Sequence, residues 1–206
     1  LLLFFFFFYR LFLHKETFYN TNRWYLLGSI AISLIALFIT FTKTVFIEAS
    51  KPTIDWDQLA AINSQNTNVK ENLFTIENFA IVIIGLISTI LVLKTLFQLA
   101  RTYHKIKQLP YDATLQVKRS SDENIFSLYP YIVVPNHFEK KPNSEMILTH
   151  EQVHIQQKHS FDMIVIQLIR SVFWMNPLLR YLQKDIEVNL EYIVDDHLQK
   201  RFDSKS

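Results

Sequence analysis

Apolar residues run together in the first half of this chain and are spaced out in the second. Leu1 to Leu13 is almost wholly Leu and Phe, interrupted by Tyr9 and Arg10. With no basic segment before it and no small-residue cleavage site after it, it reads as the truncated end of a membrane helix rather than a signal sequence. Trp24 to Ile47 carries one charge, Lys43, near its end. At about 1.5 Å per residue it reaches roughly 36 Å, enough to cross a hydrocarbon core of about 30 Å. Phe79 to Ala100 predicts a second full span, with Lys94 near enough to its end to snorkel. A pair of buried core helices would show a polar stripe, which neither run has.

Beyond Arg101 the pattern changes. Leu109-Pro110-Tyr111-Asp112 predicts a turn closing a juxtamembrane helix. Ala113 to Lys118 and Ile125 to Val134 are rich in β-branched and aromatic residues and flank the turn-like stretch Arg119 to Asn124, which predicts a β-hairpin with Pro130 at an edge or bulge. Three helices follow. The first is capped by Ser144 and runs to about His159. The second, Phe161 to Met175, is apolar with Asp162, Gln167, Arg170 and Ser171 on one side, and suits a half-buried or membrane-skimming position. The third starts at Asn176-Pro177 and runs to about Arg201, with Leu182, Ile186, Leu190 and Ile193 as its buried stripe.

Composition agrees with a membrane chain. Half of the 206 residues are hydrophobic, with 18 Phe against 2 Gly. The absence of Cys excludes a thiol nucleophile, a thiolate metal site and any disulfide. A net charge of +2 gives no nucleic-acid footprint, so direct nucleic-acid binding is not expected. Lys15 and Arg23 oppose Glu16 in the first link, with Arg10 just before it. The segment 48–78 sets Glu48, Asp55, Asp57, Glu71 and Glu77 against Lys51 and Lys70, and Arg101, Lys105 and Lys107 follow the last span. Basic residues concentrate on cytoplasmic loops. The expectation is a multi-pass protein of the cell (inner) membrane: residues 1–100 are membrane helices (1–13 truncated, 24–47, 79–100) with an outward loop 48–78, and 101–206 form a cytoplasmic domain.

The chemistry lies in that second half. His150-Glu151-Gln152-Val153-His154 is HExxH. On a helix, residues four apart share a face, so both imidazoles can bind one Zn²⁺ while Glu151 acts as general base on its water. The position six residues after His154, where another zincin class places a third His, is Ser160. The third ligand is therefore sought on the last helix, in Glu187 or Glu191. Glu191 is favoured, because Asp195 follows one turn later and can brace a ligand His, and because Glu191 adjoins buried Leu190. His159 and Asp162 could brace the site or serve only locally. His14, His104 and His137 read as ordinary polar residues, and no spacing argument selects Tyr192 or His197.

The order HExxH, then His159-Ser160 with Asp162, then Trp174-Met175-Asn176-Pro177, then Asn189 with Glu191-Tyr192 and Asp195, resembles the BlaR/MecR-type membrane metallopeptidases, the antirepressor family. Met175 stands where Phe is common. The resemblance implies a mostly α fold: polytopic membrane helices and a gluzincin-like cytoplasmic zinc protease domain, with the small hairpin. It implies His150, His154 and Glu191 as zinc ligands, Glu151 as general base and Asp195 behind the ligands. Some members sense β-lactams through an extracellular C-terminal domain and trigger cleavage of a repressor. The chain begins without Met and reads as a fragment lacking that sensor domain. Expected partners are the lipid membrane and a protein or peptide substrate, a transcriptional repressor among the candidates. Two other readings are a Ste24/HtpX-like protease, against which the Trp-Met-Asn-Pro turn argues, and a non-proteolytic scaffold holding zinc structurally.

Overall fold

A computed structural model describes residues 1–39 and 76–203. The outward loop 48–78 therefore lies almost wholly outside the described residues, as does the end of the span 24–47. Within them the fold is mostly helical with a small sheet. Helix α1 (Leu2–Phe8) continues through a wide turn at Tyr9–Leu13, followed by α2 (Tyr19–Ile35) and a short turn at Ala36–Phe38. Helix α3 (Ile76–Gln108) joins the predicted span and the juxtamembrane segment into one rod. It stops before Pro110, whose ring disfavours helix at the preceding residue. Strands β1 (Tyr111–Asp112), β2 (Val117–Ser120), β3 (Phe126–Leu128) and β4 (Tyr131–Pro135) precede α4 (Ser144–Gln156), α5 (His159–Val172) and α6 (Leu178–Asp203).

Two helices are long and apolar enough to cross a membrane, 19–38 and 78–108. Leu2–Leu13 is apolar but shorter.

The expected hairpin is redrawn. Residues 125–134 are not one strand: Tyr129-Pro130 turns the chain, so β3 and β4 pair with each other, Phe126 opposite Val133. Val117–Ser120 then joins β4 in parallel, Lys118 beside Val133, instead of closing a hairpin with it. The order β1-β2-β4-β3 leaves β3 at the edge. The physical reason is Pro130, which has no N–H for a ladder and takes a turn position instead. Arg119 binds both Asp112 (2.5 Å) and Glu139, tying the sheet to the turn leading into α4. Val117, Ile132, Val134 and Phe138 form a small core against Ile147, Leu148 and Ile155 of α4.

Helix starts differ in detail. Asn143, in a left-handed conformation (φ 60°), occupies the cap position expected of Ser144, which becomes the first helical residue. Asn176 caps as expected: the Leu178 N–H donates to its Oδ1 at 3.0 Å.

The main core is built around α6. Leu182, Ile186, Leu190 and Ile193 pack with Leu26 and Ile30 of α2, Ile166 of α5 and Tyr9. Polar ties join the N-terminal helices to this half. Arg10 forms a two-pronged bond to Asp185 (2.9 and 3.2 Å), and Asn189 donates to the Tyr19 carbonyl (2.9 Å). Arg23 at the start of α2 forms an ion pair with Asp162 at 2.7 Å, both side chains being only 12% exposed.

Removing one member of a buried pair strands the other charge. Arg23→Met should cost about 3–5 kcal/mol, read from a denaturant or thermal melt of helical circular dichroism. The double variant Arg23→Met/Asp162→Leu should recover most of that loss. A single variant as stable as the parent would show that the pair carries no stability.

Candidate metal centre

Helix α4 places His150 and His154 on one face, and their Nε2 atoms stand 3.2 Å apart. Helix α6 crosses them with Glu191: Oε2 lies 3.3 Å from His150 Nε2, and Oε1 lies 3.6 Å from His154 Nε2. One ligand atom from each of the three lies within 4.8 Å of the others. Two ligand atoms of a tetrahedral zinc, each bonded at about 2.0–2.2 Å, stand roughly 3.3–3.5 Å apart. The donor set, two imidazoles and one carboxylate, suits that ion and leaves one position open. The Glu191 carboxylate beside His150 pushes the His150 value up, and the contacts with His150 and His154 hold Glu191 well below the usual carboxylate range.

Glu191 reaches the histidines because Leu190, fully in the core, anchors α6 one residue earlier. Glu187, one turn back, lines the same cavity but contributes no atom to the three-residue cluster. Glu151 also lines this cavity, of about 660 Å³, with no hydrogen bond or ion pair among the described residues. The edge strand β3 forms another wall, through Phe126, Ser127 and Leu128.

Asp195 is exposed and makes no hydrogen bond to either histidine among the described residues; its charge alone acts on His150. The bracing partner of His154 is His159. Its Nδ1 lies 3.0 Å from His154 Nδ1, and its Nε2 lies 3.3 Å from Gln157 Oε1. For His154 to offer Nε2 to a metal, its Nδ1 must carry the proton and donate to His159 Nδ1. The His159 proton then sits on Nε2 and donates to Gln157. This arrangement requires a neutral His159, and burial, with His154 and Arg23 nearby, pushes its value down to about 3. Arg23 completes the chain, donating to the Gln157 side chain (3.4 Å) and carbonyl (3.0 Å).

Helical periodicity alone does not point His159 at His154. In an unbroken helix a residue five positions on points about 140° away. The chain breaks between α4 and α5, at Lys158 in a left-handed conformation (φ 56°), and the new helix direction brings His159 back over His154. No Gly or Pro marks that break; the Ser160 and Asp162 pair at a helix start was the available signal.

A profile of the family described as BlaR1 peptidase M56 matches residues 4–205. The regulatory protein BlaR1 of Bacillus licheniformis is 32% identical to this chain over 78 residues, which are 37% of this chain and 13% of that protein. The chain therefore matches only a small part of that relative's length.

Metal titration should separate the carboxylates and the bracing groups. Glu191→Ala should strip the metal, and Glu187→Ala should leave occupancy near one ion per chain. His159→Ala should weaken zinc binding by about 10–100-fold, the usual cost of losing a group that orients a ligand. Asp195→Ala should weaken it less than His159→Ala. Full occupancy in Glu191→Ala with loss in Glu187→Ala would reverse the ligand assignment.

Proposed function

This chain belongs to the BlaR1 peptidase M56 family, and on that premise we propose that it is a membrane-bound zinc endopeptidase of a signalling pathway. Its substrate is a cytoplasmic protein, with a transcriptional repressor or the protease itself as candidates. The observation that carries the reading is the convergence of His150, His154 and Glu191 beside a cavity that also exposes Glu151.

His150, His154 and Glu191 would hold the ion. Bound there, zinc supplies Lewis acidity and a nucleophile competent at neutral pH. Glu151 takes the proton released by the attacking water and delivers it to the departing amine nitrogen, so that the peptide leaves as a neutral amine. His159 keeps the His154 ring fixed throughout. The outer edge of β3, unpaired among the described residues, can hold an extended peptide by main-chain hydrogen bonds, which offers affinity for a chain of any sequence. A structural zinc site is normally closed by four protein ligands. Three converge here among the described residues, which favours catalysis over a purely structural scaffold. The family match favours this reading over a Ste24/HtpX-like protease.

The membrane orientation rests on the loop charges and on two contacts. Arg10 and Arg23 flank the first link and pair with Asp185 and Asp162 of the second half. These contacts support a reading in which the first link and the site share one side of a membrane crossed by α2 and α3, and the basic residues Arg101, Lys105 and Lys107 favour the cytoplasm as that side.

Glu151→Gln should retain about one zinc per chain and lose cleavage of itself or a candidate repressor by about 10²–10⁴-fold. Metal analysis beside a gel-based cleavage assay reads both. Cleavage near the parent rate would remove Glu151 from the reaction, and cleavage by neither protein would favour the scaffold reading.

Orientation has its own test, since the chain has no native Cys to confuse it. In intact cells Gln65→Cys should react with an impermeant thiol reagent and Lys141→Cys should not. The opposite labelling would invert the topology.

A further inference from the structure

A second cavity, of about 310 Å³, lies between α3, α5 and the start of α6, apart from the histidines. Lys94, Arg170 and Arg180 line it, and no carboxylate does among the described lining residues. Gln98, Gln167 and the ring of Trp174 complete its polar wall, and the indole N–H of Trp174 is buried with no acceptor among the described residues. Arg170 spends one donor on Gln183 Oε1 (2.7 Å). Lysine, arginine and the indole are donors only. The cavity is thus rich in donors and positive charge, with no anionic acceptor among its described lining residues: its side-chain acceptors are the Gln98 and Gln167 amide oxygens and the Thr95 and Ser171 hydroxyls. Such a set is matched by an anion with several acceptor oxygens, of which a phosphate is the common case.

Position narrows the source of that phosphate. Lys94 lies 16 residues beyond Asn78, the start of the long apolar stretch of α3, roughly 24 Å along the axis. That is near the far edge of a hydrocarbon core of about 30 Å. The end of α5 is pinned to this level of α3 by the Thr95–Ser171 hydroxyl contact (2.9 Å), and roughly 9 Å deeper along the axis by Ser88 donating to the Val172 carbonyl (2.9 Å). Around the cavity the surface is apolar and outward-facing: Ile90, Leu93 and Phe97 on α3, and Phe173 and Met175 beside Trp174, are all exposed.

We propose that Lys94, Arg170, Arg180 and Trp174 form a binding site for a phosphate group, supplied by an anionic phospholipid whose acyl chains lie along the exposed face of α3. The cations then face an anion in the interfacial layer and are not left to repel one another, and the indole N–H gains an acceptor. Basic pockets between membrane helices are suited to such headgroups.

The test uses the whole chain carrying Trp24→Phe and Trp56→Phe, so that Trp174 is the sole tryptophan and can be excited selectively over the tyrosines. In mixed micelles, brominated-chain phosphatidylglycerol should quench Trp174 saturably, at about tenfold lower lipid than brominated-chain phosphatidylcholine. Removing the charges by Lys94→Gln, Arg170→Gln and Arg180→Gln should weaken the phosphatidylglycerol effect by about fivefold per charge. The charge-keeping variant Lys94→Arg/Arg180→Lys should retain it, with unchanged helical circular dichroism, which keeps the result readable if the triple variant misfolds. Equal quenching by both lipids without any protection by inorganic phosphate, or no change in a folded Arg180→Gln single variant, overturns the site. Protection of Trp174 by millimolar inorganic phosphate with no preference between the lipids overturns the phospholipid as the source.

Discussion

Helix α6 has to do two opposed things with adjacent residues, and the rest of the structure is arranged around that constraint. Leu190 is buried in the core with Leu182, Ile186 and Ile193, and Glu191 emerges beside it to meet His150 and His154. A helix turns by about 100° per residue, so the boundary between core and site is one side chain wide. Burial of the stripe against α2 and α5 thereby sets the height and rotation of Glu191 over α4. The convergence of His150, His154 and Glu191 is a consequence of how the hydrophobic face is covered.

A polar path runs from the same site toward the N-terminal helices. His154 meets His159, His159 meets Gln157, and Gln157 and Asp162 meet Arg23 at the foot of α2. These groups are largely removed from water, where hydrogen bonds and ion pairs are less screened than on a surface. The ring of His154 is therefore linked, through His159 and Gln157, to a residue on a helix long and apolar enough to cross a membrane. A displacement of α2 along its axis would act on His154 through only two intervening side chains. For a protein proposed to signal from the membrane, that is a short physical route between a membrane helix and the site.

The two cavities divide the molecule by chemistry. The one beside the histidines carries Glu151, Glu187 and Glu191 and opens along β3. The other carries three cations and no acid among the described lining residues. Helices α3 and α5 border both, and Thr95, Gln98 and Gln167 line each of them, so uncharged side chains stand between the acidic and the basic lining.

The sequence by itself determined what depends on local repetition. Apolar runs marked the two candidate spans, helical spacing marked the stripe on α6, Asn176-Pro177 marked a helix start, and HExxH at an i, i+4 spacing put two imidazoles on one face. Each of these is decided by neighbours within one or two turns. Glu191 was already favoured over Glu187 by its neighbours Leu190 and Asp195, and the packing of α6 adds the placement of its carboxylate within 4.8 Å of ligand atoms of both histidines. Tertiary structure alone decided the rest. The partner of His154 turned out to be His159 because an unmarked break at Lys158 redirects α5, an event no periodicity encodes. Strand pairing in the sheet followed from Pro130 folding β3 onto β4 and leaving β2 to join in parallel, which depends on residues distant in sequence competing for the same backbone donors and acceptors.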